Sequence, residues 1–160
     1  MTAVSPSRDL EPTTRAVASP LGDVAVHFDL QPSKSLSGLS SGDGVDSAWL
    51  RNALQTHHSG VRVLAGPSRA EESERIGAEQ VSALLPALRK EFDWVIVDIS
   101  HSWTEASVRA LDAANHILLV TLMDVPTLNH ARKRLDLLRR LGHPRDASRR
   151  ARYAQLRHLT

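Results

Sequence analysis

Apolar residues fall into short runs separated by turn-forming clusters, and the spacing within each run predicts its element. Trp94 to Ile99 is apolar on both alternating faces, as in a parallel strand covered by helices on both sides. His116 to Leu122 has the same two-sided character, and Val61 to Ala65 is a β-branched run stopped by Gly66-Pro67. The segments between and after these runs have helical spacing. Glu71 to Lys90 places Ile76, Val81, Leu84, Leu85 and Leu88 near one face, with acids early and Arg89-Lys90 late, as the helix dipole favours; Gly77 and Pro86 weaken or kink it. Thr104 to Ala114 reads as a second helix. Val125 to Leu141 is the clearest, with Leu128, Ala131, Leu135, Leu138 and Leu141 on one side and Gly142 as a stop. Strands alternating with helices predict an α/β fold with a parallel sheet.

The flanks carry weaker signals. Met1 to Pro20 mixes Ser, Pro, Thr, Arg and Ala without an apolar period, so residues 1–20 are expected to be a disordered lead-in. Val24 to Leu30 reads as a short strand or an irregular segment, Ser33 to Gly44 as a loop, and Asp46 to Gln55 as a short helix capped by Asp46 or Ser47. Residues 146–160 are expected to be a basic tail, and 21–145 the folded domain.

Composition adds exclusions. A chain of 160 residues with 41% hydrophobic content can bury one real core. A formal net charge of +2 demands neither nucleic acid nor an acidic membrane, and the absence of cysteine excludes disulfides and thiolate metal sites. No apolar run approaches the roughly 20 residues of a membrane span, so a soluble chain is expected, and the absence of cysteine fits a cytoplasmic one. His57-His58 lacks further ligands at metal spacing and reads as a solvated turn; no metal site is assigned. Trp49, Trp94 and Trp103 read as packing residues.

In an open parallel sheet, ligands gather at the carboxyl ends of the strands, where Asp98 ends FDWVIVD. The segment FDWVIVDISHSW resembles the Walker B and switch II region of the ParA/MinD superfamily of P-loop ATPases. GDVAVHFDLQPSKSL, SGVRVLAGPSRAEESERI and LDAANHILLVTLMDVPTLNHARKRLDLLRRLG resemble, in order and spacing, segments of its pilus-assembly subgroup, CpaE or TadZ, over about Leu21 to Asp146. The resemblance implies a three-layer P-loop NTPase sheet, incomplete at its N-terminal strand. It implies a Walker B role for Asp98, a switch II position for His101 and Ser102, and a place near a nucleotide base for Asp124 and Pro126. It brings ATP and magnesium as family cofactors and pilus-assembly or secretion proteins as partners. A homodimer and a peripheral position at the inner face of the membrane are compatible with it.

The family's Walker A loop, Lys-Gly-Gly-x-Gly-Lys-Thr, occurs nowhere in these residues. Leu21 to Ala25 aligns just past the family's switch I, so Asp29 is not read as the switch I carboxylate. Backbone amides and a lysine must cradle the phosphates for phosphoryl transfer, so Asp98 alone is expected to be inactive and this chain alone not to hydrolyse ATP. The sheet would then need a replacement strand beside Trp94 to Ile99, from Leu21 to Leu30 or from a second chain, unless the polypeptide is a truncated product. The expected role is a non-hydrolysing localisation or assembly factor. The alternative is an ATPase whose Walker A part comes from another chain or was lost by truncation. A receiver-like signalling domain is weaker, because the acidic pair and the lysine of receivers are not visible. Nonspecific DNA or anionic lipid binding through Arg132 to Arg157 is less favoured than a solvated helix face and a charged tail.

Overall fold

The computed structural model describes residues 2–6, 14–18, 23–31, 35–39, 45–67, 70–73, 76–99, 102–143 and 150–152. In chain order the elements are β1 (Thr2–Pro6), β2 (Arg15–Ala18), α1 (Asp23–His27), α2 (Ser47–Ala53), β3 (Gln55–Thr56), β4 (Arg62–Leu64), α3 (Ala70–Ser73), α4 (Ala78–Glu91), β5 (Trp94–Asp98), α5 (Glu105–Ala113), β6 (His116–Leu118), α6 (Val125–Arg140) and β7 (Arg150–Arg152). The seven strands form one sheet in the order β3-β4-β2-β5-β1-β6-β7.

The sheet is mixed rather than wholly parallel. Pairing is parallel for β4–β2, β2–β5 and β6–β7, whereas β1 runs antiparallel to both of its neighbours, β5 and β6. β3 is likewise antiparallel to β4. β2, β4, β5, β6 and β7 therefore all point the same way, and their carboxyl ends share one edge of the sheet.

The lead-in expected to lack order instead supplies two of the strands beside β5. Thr14 fixes one of them: its amide and hydroxyl both donate to Asp93 Oδ2 at 3.0 Å, and the Trp94 amide donates to its carbonyl at 3.1 Å. These bonds bring the starts of β2 and β5 into register, Arg15 beside Trp94. On the other flank, β1 pairs Thr2 with Asp98 and Pro6 with Trp94. A strand in this place is demanded by hydrogen bonding, since β5 and β6 would otherwise leave backbone groups unpaired inside the sheet. Leu21 to Leu30 does not provide it. That stretch holds the helix α1 and a turn in which Asp29 takes φ +50°. The basic tail also departs from expectation, because Arg150–Arg152 is a strand on β6.

The core forms against the middle of the sheet. Leu64 of β4, Leu88 of α4, Leu111 of α5 and Leu50 of α2 are its most deeply buried large side chains, and Val95 and Val97 of β5 join them. Asp46 caps α2, as the sequence indicated, by accepting from the Ala48 amide at 3.2 Å. The long helix expected from Glu71 is divided: α4 begins at Ala78 after Gly77, whose amide is capped by Gln80 Oε1 at 2.9 Å. It then runs through Pro86 without ending. Arg89 of α4 donates to Asn115 Oδ1 at 2.6 Å, fastening the end of α4 to the segment after α5.

The clearest sequence helix is only lightly buried. Of the apolar side expected for α6, only Leu138 is buried, while Leu128 and Leu141 are exposed. Its C-terminal end is anchored: Gly142 takes φ +83°, and the His143 amide donates to the Leu138 carbonyl at 2.9 Å, a Schellman closure. The buried His143 ring places Nε2 3.1 Å from Asp112 Oδ1 of α5. The atoms are close but not aligned as a hydrogen bond, so the contact is electrostatic proximity only. No described helix is long and apolar enough to cross a membrane.

Candidate functional site

Asp98 ends β5, the strand that the two-sided apolar run predicts, at the carboxyl edge of the sheet. Its neighbours Val97 and Ile99 are buried and hold the strand in place, while Asp98 itself is half-buried. Among the described residues, no hydrogen bond or ion pair engages its carboxylate. On one side of it the chain enters β1 at Thr2, which pairs with both Asp98 and Leu118. At this edge β1 therefore contributes its beginning, whereas its neighbours β5 and β6 contribute their ends.

Beyond Asp98, His101 lies outside the described residues, and Ser102 is exposed. The far end of this loop is fastened by a group that sequence reading did not single out. The buried Ser107 hydroxyl donates to the Ser102 carbonyl at 3.0 Å and lies 2.9 Å from Thr104 Oγ1. Thr104 in turn caps α5 by accepting from the Ser107 amide at 3.1 Å. The available signal was the Thr-x-x-Ser spacing at the start of the helix.

Asp124 and Pro126 begin α6, after the next parallel-running strand, β6; β1 separates β5 from β6 by two strand spacings, about 10 Å. Asp124 is the N-cap of α6: it accepts from the Thr127 amide at 2.8 Å and from Thr127 Oγ1 at 2.9 Å, one bond to each carboxylate oxygen. The amide bond first, then the hydroxyl bond, holds its carboxyl below the ordinary carboxylate value, so it remains ionised. Pro126 lies in the first turn of the helix, where its missing amide has no intrahelical partner to lose. Both residues thus have local duties in starting the helix. The edge around them is apolar and open: Met123 is 65% and Val125 81% exposed, and Val120, Leu122 and Leu128 are exposed as well.

The remaining candidates lie elsewhere. His57 and His58 sit in the turn between β3 and β4, where His57 Nδ1 is 2.7 Å from Ser59 Oγ and its ring packs edge-on against Phe28 at 4.9 Å. Trp49 and Trp94 are half-buried, in keeping with packing roles, but Trp103 is exposed in the loop before α5.

No protein-family model and no curated protein matches the sequence. Solved structures do match the fold. A ParA family ATPase from Chlorobium tepidum TLS aligns with a TM-score of 0.76 at 22% identity, covering 91% of this chain and 62% of that one. The cell division ATPase MinD of Pyrococcus furiosus aligns at 0.64 and 16% identity, covering 80% of this chain and 55% of that one. The septum site-determining protein MinD from Pyrococcus horikoshii OT3, solved with Mg-ADP, gives 0.63 and 16%, with coverage of 80% and 54%. The chain therefore has the α/β fold of the ParA/MinD type and spans a little over half the length of these proteins.

Proposed function

We propose that this chain is a ParA/MinD-like localisation or assembly factor, of pilus assembly or secretion, which acts by associating with a partner rather than by turning over ATP. The observation that carries this reading is the direction of β1. A phosphate-binding loop leaves the carboxyl end of a parallel strand and passes into a helix whose N-terminus meets the phosphates. Beside Asp98 the chain instead enters an antiparallel strand at Thr2. The pilus-assembly assignment rests on the ordered set of sequence segments from Leu21 to Asp146.

The residues present do not fit a magnesium nucleotide. Magnesium keeps most of its waters and is held by one or two carboxylates together with substrate phosphates. Asp98 is available for this, but both oxygens of Asp124 are engaged by Thr127, and among the described residues no cradle of amides flanks Asp98 on the β1 side. His101 and Ser102 keep a proposed role as the loop that follows Asp98, with Ser107 holding its far end.

Thermal unfolding with and without excess magnesium-ATP tests the reading. Ligand at 100 times its dissociation constant adds about 2.7 kcal/mol, a rise of roughly 5–10 °C for a chain of this size. The expected result is a cooperative transition that ATP does not move. A rise of that size would reject the proposal in favour of an ATP-binding ATPase completed by another chain.

A further inference from the structure

We propose that the exposed flank of α6 beside Leu122 and Met123 is a docking surface for an acidic amphipathic segment of a partner protein. This deepens the association reading above by giving the partner its chemistry.

With 3.6 residues per turn, Val125, Leu128, Arg132 and Arg139 share one flank of α6, beside the face that carries buried Leu138, and Lys133 and Arg140 lie further round on its outward face. The N-terminal end of this side is apolar, continuous with exposed Leu122 and Met123 just before the helix. Its later turns are cationic. Asp136 is the acid on this side, and it is occupied by Arg139 at 2.8 Å. Among the described residues Arg132, Lys133 and Arg140 make no ion pair. A solvated helix usually intersperses charges of both signs, whereas here apolar and basic groups are sorted along the axis.

That sorting favours a protein segment over a bilayer. Arg132 lies about 10 Å and Arg140 about 22 Å along the helix from Val125, at 1.5 Å per residue. A bilayer meeting the apolar tip would leave Arg140 well beyond the Debye length of roughly 8 Å. It would also bring ionised Asp124, between Met123 and Val125, against anionic headgroups. A helix or strand lying along α6 meets both halves: its apolar residues cover Leu122, Met123, Val125 and Leu128, and its carboxylates reach the three cations. Asp124 then stays at the wet rim.

The test pans a displayed library of random peptides of about 20 residues against the intact chain. Enriched peptides are then measured by fluorescence anisotropy on the native protein, V125D/L128D and R132A/K133A/R140A, each first shown to keep the native thermal midpoint. The expected peptides pair an apolar cluster with an Asp/Glu cluster. V125D/L128D should weaken them by about tenfold or more, and the triple variant by up to about fivefold per cation, with loss as salt rises. The proposal is overturned if no peptide is enriched, if enriched peptides are not acidic, or if both variants bind as the native chain does. Sedimentation with phosphatidylserine vesicles that V125D/L128D abolishes would assign the surface to lipid and overturn it too. Stabilisation by magnesium-ATP rejects the non-hydrolysing reading without touching these outcomes.

Discussion

Replacing Val4 with proline tests the strand on which the functional reading turns. Val4 pairs with Ile96 on one side and His116 on the other, in the middle of β1. Proline removes its amide, so one carbonyl of the sheet loses its donor whichever neighbour that amide faces. Leaving a buried acceptor unmade costs about 1–3 kcal/mol. For a domain of this size each kcal/mol lowers the midpoint by about 2–4 °C, which gives a fall of roughly 2–12 °C. Circular dichroism melting of the native and V4P chains reads this directly, and urea unfolding gives the free energy. If V4P melts with the native protein, β1 is not a central strand. The place beside Asp98 would then be open to another strand, and the argument against a phosphate loop there would collapse.

Two further perturbations check the core and the start of α6. Leu111 of α5 is 1% exposed and stands in the cluster between helices and sheet; L111A should lower stability by about 2–5 kcal/mol in urea unfolding, and a loss below about 1 kcal/mol would count against that packing. The Asp124 carboxyl titrates below its unfolded value because Thr127 bonds favour its charged form. Its contribution to stability is therefore complete above the unfolded value and is lost as pH falls through the folded one. In an NMR pH titration T127A should raise the Asp124 midpoint part of the way back, since the amide bond survives the change; an unmoved midpoint would show that the hydroxyl contributes nothing.

Much of the architecture was legible wherever a segment meets its environment alone. Trp94 to Ile99 alternates two apolar faces whatever its neighbours are, so β5 and the position of Asp98 at its end could be read directly. The same holds for α2 behind Asp46, α5 behind Thr104 and the Gly142 stop of α6, each set by a local cap. The reading failed where the environment is made by distant chain. TAVSP and RAVA are too short and too mixed to announce strands, and only unpaired backbone on β5 and β6 for the first, and on β4 and β5 for the second, selects them. VAVHFDL, read as a strand or an irregular segment, starts as a helix.

The same division separates the candidate site from its chemistry. Residue order alone determined that an aspartate closes the central strand and that a helix runs from Val125, because a strand end and a helical period are local properties; that Asp124 caps this helix through Thr127 emerged in the structure. Only the tertiary structure decided that β1 approaches Asp98 from the opposite direction and that both ends of the apolar side of α6, Leu128 and Leu141, stay exposed. Strand direction and helix coverage depend on which surfaces meet, and periodicity, which records a face without its partner, carries no information about that.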